Sequence, residues 1–283
     1  MMNNMKKIIE YFYKIEIDDL VIKNEKYIFY YNKELYIFKK CIVMPSIEIL
    51  LETQKNNKFH RIIRNFKNEL LTAHEGEIYA LLKTNIPSDR PLNYKDIIDF
   101  SFGSPLYYNL NIKWDFLWMK KIDWLESYIL KKDRDVEYRE YYDYYLGIGE
   151  NASLYYSFSN NNNVRLGFSH KRIKSNDTIF DLYDPTSIII EPLVRIIADY
   201  IKDSFFYNEK IDIEKISNLR FTKDEYIIFI SRLLFPTYFF DYIKEPDKIK
   251  KIINYSPKYE KYVYYLIEKI KDKINIPSIK WLD

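Results

Sequence analysis

The side chains that most often carry out enzyme chemistry are few in this 283-residue chain and lie far apart. Its three histidines are His60, His74 and His170, and its single cysteine is Cys41. None of these residues has the short spacing through which His and Cys side chains bind zinc or form a nucleophile–base pair. The sequence therefore does not indicate a zinc site, a metalloprotease or a cysteine hydrolase. We expect Cys41 to be a small buried residue.

Two further motifs also favour structural roles. Ser157, Ser159 and Ser169 lie outside the strand–turn–helix motif of serine hydrolases. Gly147-x-Gly149 resembles part of a phosphate-binding loop. Such loops begin at the end of a strand, whereas these glycines follow a helical pattern. We therefore interpret them as a helix-packing or kinking feature.

Charge and composition argue against several classes of function. The chain has 44 basic and 41 acidic residues spread along its length, which gives a net charge of +3. This distribution creates no strong field for nucleic acid or an anionic membrane. No segment reaches the roughly 18 apolar residues of a membrane span. A lone cysteine excludes an internal disulfide framework and favours a reducing compartment. We predict a cytoplasmic protein with no membrane span and no nucleic-acid partner.

The first 84 residues contain short β-branched and aromatic segments that are typical of strands. The predicted strands are residues 26–31, 34–43, 59–65, 70–73 and 77–83. Asn32-Lys33 predicts a hairpin turn between the first two strands. Ser46 is the predicted N-cap of one short helix. Residues 1–84 are therefore expected to form a small β-rich lobe with one helix.

From residue 85 onward the apolar spacing becomes helical, which predicts a large helical lobe over residues 85–283. One buried stripe is predicted from Trp114, Leu117, Trp118, Ile122, Leu125 and Ile129. Leu233 and Leu234 are also expected to be buried. Further helices are predicted at residues 136–158, 191–207, 222–243 and 258–273, with a strand at 164–168. Pro236 should interrupt the helix that contains it. The tail, residues 275–283, should be extended and pack back on the domain.

A small β-rich lobe followed by a helical lobe is the order found in protein-kinase-like folds. Several segments resemble spore coat-associated kinase-like proteins of the YutH type, which are related to choline kinase and aminoglycoside phosphotransferases. These segments are residues 114–126 (WDFLWMKKIDWLE), 149–152 (GENA), 169–172 (SHKR), 191–206 (EPLVRIIADYIKDSFF), 231–240 (SRLLFPTYFF) and 276–282 (IPSIKWL). The resemblance covers about residues 25–282. It implies an α+β, protein-kinase-like bilobal fold, with a small antiparallel β lobe and a large mainly α-helical lobe.

The resemblance also locates the catalytic loop and shows how it departs from that of the active enzymes. Active phosphotransferases of this branch have His-Gly-Asp and then Asn five residues past the Asp. Here His170 matches the His, Lys171 and Arg172 replace the Gly and the Asp, and Asp177 stands at the Asn position. Arginine stays protonated, so Arg172 cannot be a general base. Without that Asp, we interpret His170 as a structural hydrogen-bonding residue.

The magnesium-binding acid of the active enzymes is best matched by Glu191. The pattern Glu191-x-x-x-Arg195-x-x-Ala198 resembles the Asp-x-x-x-Arg-x-x-Ala of the coat-associated family. Asp181 and Asp184 are alternatives. A longer carboxylate at this position changes the metal geometry, so we expect no metal. If a metal binds, its candidate ligands are Asp177, Asp181, Asp184 and Glu191.

The small lobe has a lysine but no phosphate-binding loop. There is no glycine before Gly76, and close approach of the backbone to phosphates usually requires glycine. Lys39 or Lys40 lies on the strand where an ATP-contacting lysine is expected. Glu48 or Glu52 on the next helix is its candidate partner. The alternative is a solvated strand edge and helix face.

These observations favour a catalytically inactive kinase-like protein, a pseudokinase, that binds another protein and needs no cofactor. By resemblance, the partner belongs to the spore coat or its assembly. One alternative is an atypical ATP-dependent small-molecule kinase. Another is a module that binds a nucleotide or sugar without turnover. ATP and magnesium are expected as cofactors only under these alternatives.

Overall fold

A computed structural model describes residues 2–23, 25–86, 89–107, 113–131, 139–160, 163–207 and 211–274. The chain forms two compact units. The first, here called the sheet unit, comprises Met1–Leu92, His170–Arg172 and Asn176–Ile189. The second, the helical unit, comprises Asn93–Ser169, Ile173–Ser175 and Ile190–Asp283. The lobe division at residues 84 and 85 stays a prediction.

The sheet unit contains an antiparallel sheet, as predicted. Its strands are β1 (Val21–Lys23), β2 (Lys26–Tyr31), β3 (Glu34–Lys40), β4 (Arg61–Ile63), β5 (Thr72–His74) and β6 (Glu77–Lys83). Their order is β1-β2-β3-β6-β4, and β5 also pairs with β6. The bounds of β2 and β6 are those predicted from the sequence. The strands predicted at residues 34–43, 59–65 and 70–73 correspond to β3, β4 and β5. Strands β4 and β5 are only three residues long.

The predicted hairpin turn at Asn32-Lys33 is confirmed. Tyr31 pairs with Glu34 across the turn, so the loop has only these two residues. Asn32 and Lys33 have φ angles of 51° and 64°. Two consecutive positive φ angles are typical of the type I′ turn, whose twist matches that of the flanking strands.

The sheet unit has a helix that the sequence analysis missed. The predicted short helix is α2 (Ile47–Thr53), and the Ser46 side chain accepts a hydrogen bond from the amide of Ile49 at 3.4 Å. The additional helix is α1 (Met2–Tyr13). Its buried residues are Met5, Ile8, Ile9 and Tyr13, which pack in one core with Phe29, Phe38 and Leu81 of the sheet. Their i, i+3, i+4, i+8 spacing is a helical signal that was present in the sequence.

A short chain segment connects two paired strands. Strands β7 (Leu166–His170) and β8 (Ile188–Pro192) form a two-stranded sheet. Between them lie the one-turn helix α6 (Ile179–Leu182) and a 3-10 turn, Pro185–Ser187. The predicted strand at residues 164–168 is therefore shifted by two residues. The helix predicted at 191–207 begins later than expected, because Glu191 lies in β8.

The helical unit contains most of the helices found in the described residues. They are α3 (Tyr94–Phe102), α4 (Trp114–Lys131), α5 (Arg139–Ser157), α7 (Val194–Phe206), α8 (Ile213–Ser217), α9 (Lys223–Leu234), α10 (Thr237–Tyr242) and α11 (Pro246–Ile270). Pro236 separates α9 from α10, as predicted. The helix predicted at 258–273 is longer than expected and contains Pro257. The predicted tail and residues 136–138 lie outside the described residues.

Helix α4 confirms most of the predicted buried stripe. Trp114, Trp118 and Ile122 are 3 %, 3 % and 1 % exposed, and Leu125 is fully buried. Leu233 and Leu234 are also buried. The prediction for Leu117 is wrong, because its side chain is 57 % exposed. Leu117 lies about 60° from Trp114 around the helix, on the side that also carries the exposed lysines 120 and 121.

The two glycines of α5 differ in their surroundings. A Cβ atom on Gly149 would lie 3.3 Å from the Ile122 side chain of α4. A Cβ atom on Gly147 would have no neighbour within 4 Å. The helix-packing interpretation therefore applies to Gly149. Among the helices that the structure describes, none is long and apolar enough to cross a membrane.

We predict that Trp118→Ala lowers the free energy of unfolding by about 3–5 kcal/mol, because it removes a buried ring from the core. The Trp118 ring stacks on Phe235 with ring centroids 4.6 Å apart. Leu117→Ala should change the free energy by less than about 0.5 kcal/mol. Urea unfolding followed by circular dichroism measures both. Equal losses in the two variants would contradict this assignment of the buried face.

Candidate functional site

The candidate site in the sheet unit is built around an ion pair between Lys39 and Asp184. Lys39 lies on β3, between its register partners Lys26 on β2 and Ala80 on β6. Its ammonium contacts the carboxylate of Asp184, which lies just before the 3-10 turn. The side chains are only 16 % and 6 % exposed. The same carboxylate accepts hydrogen bonds from Thr186, at 2.9 Å from the amide and 2.7 Å from the hydroxyl.

These contacts keep Asp184 ionised. Burial alone would raise its pKa, but the Lys39 ammonium and the Thr186 donors hold the pKa well below its usual range. Burial lowers the pKa of Lys39, and the charge of Asp184 outweighs this effect, so the pKa is raised overall. Both groups are therefore charged near neutral pH. In a pair this buried, each charge is stabilised by the other, and removing either one leaves an uncompensated buried charge.

A second pair repeats this arrangement next to the first on the sheet. The Lys26 ammonium of β2 contacts the carboxylate of Asp181 in α6. Asp181 also accepts hydrogen bonds from the Thr178 amide and hydroxyl, both at 2.9 Å. Burial raises the pKa of Asp181, while Lys26 and Thr178 lower it, and the net direction is down. Asp181 and Asp184, two of the four candidate metal ligands, thus each contact one lysine and one threonine.

His170 and Lys171 bind backbone carbonyls of the same segment. The His170 ring nitrogens lie 2.8 Å from the Arg172 carbonyl oxygen and 3.1 Å from that of Asp181. Burial lowers the pKa of His170, and the charge of Asp184 and the two backbone hydrogen bonds oppose this effect. Lys171 donates to the Thr186 carbonyl at 3.0 Å. These contacts agree with the structural interpretation of His170.

Arg172 and Asp177 lie on the surface of the sheet unit rather than in its core. Arg172 is exposed, and Asp177 is half-buried. The Asp177 carbonyl accepts a hydrogen bond from the Leu92 amide at 3.1 Å. The roles predicted for both side chains stay predictions.

The predicted partners of the strand lysines are not those found in the structure. Lys39 pairs with Asp184, and Lys40 pairs with Glu77 at 2.7 Å. Glu48 is exposed on α2, and Glu52 pairs with Lys55 at 2.6 Å. The pairing was predicted from neighbouring elements, whereas Asp184 lies 145 residues further along the chain. Contact between these lysines and a nucleotide stays a prediction.

Glu191 and Arg195 belong to a separate cluster of charges within the helical unit. Glu191 accepts a hydrogen bond from the Trp114 indole at 2.9 Å and pairs with Arg195 at 3.0 Å. One turn along α7, Asp199 accepts two hydrogen bonds from Arg232 of α9, at 2.8 and 3.1 Å. Burial raises the pKa of Glu191, and Arg195 opposes this effect. The sequence analysis missed Asp199 and Arg232. The i, i+4, i+8 spacing of Glu191, Arg195 and Asp199 was the available signal.

The candidate metal ligands do not form a cluster of three or more in the described ranges. No group of three or more His, Cys, Asp or Glu side chains there is arranged to hold a metal ion. The carboxylates of Asp181, Asp184 and Glu191 are each engaged by protein donors instead.

Comparison with solved structures establishes the fold. No family model and no curated protein matches the chain. An aminoglycoside phosphotransferase from Alicyclobacillus acidocaldarius is similar over 92 % of this chain and 94 % of its own, with a TM-score of 0.67 and 12 % identity. A spectinomycin phosphotransferase bound to AMP is similar over 94 % and 97 %, with a TM-score of 0.56 and 11 % identity. The predicted protein-kinase-like α+β fold is therefore confirmed.

We predict that Asp184→Asn lowers the free energy of unfolding by about 3 kcal/mol at neutral pH, because it leaves Lys39 buried without a charged partner. The folded-state pKa of Asp184 lies below its ordinary value of 3.8. The stabilisation is therefore complete well above pH 4 and is lost as the pH falls toward the folded-state pKa.

The measurement is urea unfolding of the native chain and of Asp184→Asn at a series of pH values from 7 to 3. The difference between the two proteins should shrink as the pH falls. Asp19→Asn, at an exposed position, is the control and should have little effect. A difference that is the same at both ends of the pH range would show that charge pairing is not the cause.

Proposed function

We propose that this chain is a kinase-fold protein that does not transfer phosphoryl groups and that acts by binding another protein. The proposal rests on Arg172, which by the sequence resemblance stands at the position of the catalytic base. A substrate hydroxyl needs a proton acceptor close to the attacking oxygen, and a guanidinium has none. Positive charge there attracts phosphate without activating a nucleophile.

The pairing of Lys39 with Asp184 determines what a nucleotide phosphate would meet at this strand. In active kinases the corresponding strand lysine binds nucleotide phosphates. Here its ammonium is paired with a buried carboxylate that also has two threonine donors. Without a bridging cation, a phosphate must displace Asp184 or share the lysine with it, because a second negative charge beside Asp184 is unfavourable. The β2–β3 turn, Asn32-Lys33, offers side chains where a phosphate-binding loop has glycines.

An exposed apolar segment supports protein binding. Ile42, Val43 and Met44 follow β3 and are 91 %, 59 % and 61 % exposed. Ile47 and Leu51 on α2 are each 45 % exposed. Large exposed apolar patches commonly mark interaction sites. By its resemblance to coat-associated proteins, the partner of this chain is a spore coat component or one of its assembly factors.

The second candidate is an atypical ATP-dependent phosphotransferase, and one observation favours it. A strand lysine and a carboxylate, Lys39 and Asp184, are in contact within one unit. A lysine and an acidic metal ligand are the groups that kinases use on the nucleotide and its magnesium. A module that binds a nucleotide or sugar without turnover shares this argument.

We predict that ATP with magnesium does not stabilise the purified chain and that no phosphoryl transfer occurs to sugars, choline-like alcohols or proteins. A ligand present at 100 times its dissociation constant would add about 2.7 kcal/mol of stability, which a thermal shift detects. Stabilisation without turnover would favour the binding module. Turnover that disappears on replacing Asp177, Asp184 or Glu191 would establish the phosphotransferase.

Variants at position 172 test the role of the arginine. Arg172→Ala should remain inactive, because it adds no proton acceptor. Hydrolysis restored by Arg172→Asp would trace the loss of chemistry to this residue. Lys174→Asp makes the same change in charge at a nearby exposed position and should have no effect. Measurable turnover by the native chain, equal to that of Arg172→Asp, would refute the proposal.

A further inference from the structure

Strand β1 is a free edge of the antiparallel sheet. It lies at the end of the strand order and, within the described residues, it pairs only with β2. Its three residues are all exposed, with Val21 at 59 % and Ile22 at 48 %. An edge strand has a row of backbone N–H and C=O groups that no neighbouring strand bonds. Proteins usually protect such an edge with charges, proline or a covering element, whereas β1 presents two apolar side chains.

The apolar residues at this edge continue the core beneath α1. Ile22 is the register partner of Tyr27, which packs against the core formed by α1 and the sheet. Paired residues of neighbouring strands point to the same face of a sheet, so Ile22 lies on the α1 side. Leu20, two residues earlier, packs against the same core. The apolar layer beneath α1 therefore ends at the sheet edge in an exposed isoleucine.

The segment at residues 19–23 is complementary to itself in the antiparallel direction. It reads Asp-Leu-Val-Ile-Lys. When two copies pair about Val21, Asp19 of each copy lies opposite Lys23 of the other. In the same register Leu20 lies opposite Ile22. Directly opposed pairs of opposite charge, and apolar pairs, each stabilise a sheet by about 0.2–1 kcal/mol. Because a twofold interface uses the same surface of both copies, each of these pairs occurs twice.

Backbone hydrogen bonding and charge favour this register over the neighbouring ones. In an antiparallel pair, alternate residues direct their N–H and C=O groups to opposite edges of the strand, so two opposed residues must both face the new partner. Registers centred between two residues are therefore excluded. A register centred on Ile22 places Asp19 opposite Glu25, and like charges at opposed positions are destabilising. A register centred on Leu20 places the charged Asp18 opposite the apolar Ile22. The self-complementary register avoids both mismatches.

We propose that this chain forms a twofold symmetric dimer in which β1 pairs with β1 of a second copy, in the register that opposes Asp19 and Lys23. The two sheets then become one continuous sheet, and Ile22 of each copy is covered by Leu20 of the other. Five paired residues span about 17 Å, which is a small interface. The dimer is therefore weak, with a dissociation constant on the order of 100 µM. This self-association does not depend on the proposed function.

The test is sedimentation equilibrium of the full chain at concentrations from about 10 µM to about 500 µM, which bracket this dissociation constant. The native chain should form a dimer as its concentration rises. Asp19→Lys and Lys23→Asp each place like charges at opposed positions and should raise the dissociation constant roughly tenfold. The double variant exchanges both charges and should restore the native value. Lys250→Asp, at an exposed position on α11, is the control and should have no effect.

An equimolar mixture of the two single variants tests whether the charges meet between copies. In a mixed dimer the Asp19→Lys chain faces the Lys23→Asp chain, so both opposed pairs again carry opposite charges. The mixture should therefore dimerise as the native chain does, although each variant alone is weakened. Val21→Lys places two ammonium groups at the twofold axis and should abolish the dimer. Circular dichroism verifies folding of every variant.

Three results would overturn the proposal. The first is a native chain that stays monomeric over the whole concentration range, which would leave this edge to a strand of a different protein. The second is a dimer that none of the β1 substitutions weakens, because its interface would lie elsewhere. The third is a loss of dimer in both single variants that neither the double variant nor the mixture recovers, because the charges would then not be opposed across the interface.

Discussion

The sheet unit depends on one buried ion pair, that of Lys39 with Asp184. Lys39 lies within the sheet, and Asp184 lies in the segment between α6 and β8. Neither charge has enough exposure to be stable without the other. The pair therefore fixes where this segment lies on the strands. The Lys26–Asp181 contact fixes the same segment at a second point one strand away, so that α6 and the 3-10 turn have a defined position.

The same interaction links stability to the proposed loss of catalysis. An active phosphotransferase needs its strand lysine and its acidic residues available to nucleotide and metal. In this chain the strand lysine, Lys39, already forms an ion pair with an acidic residue of the protein, Asp184.

The helical unit combines buried charge and apolar space in a small region. Glu191, Arg195, Asp199 and Arg232 compensate each other near the start of α7. Further along this helix, the buried Lys202 bonds the carbonyls at the end of α9. Burial lowers the pKa of Lys202 to about 7. The exposed lining of the cavity beside Lys202 is mostly apolar.

Local patterns in the sequence determined the features that need only local information. The alternating strands, the Asn32-Lys33 turn, the break at Pro236 and the α4 stripe each depend on spacing and backbone preference over a few residues. The apolar spacing in helix α1 was also a local signal, but the sequence analysis did not interpret it as a helix. The partner of Lys39 was decided only by the tertiary structure, since Asp184 lies 145 residues away and many carboxylates are equivalent in the sequence. The exposure of Leu117 was also decided only by the tertiary structure. A helical pattern gives the width of the apolar face, but the neighbouring helices decide how much of that face is covered.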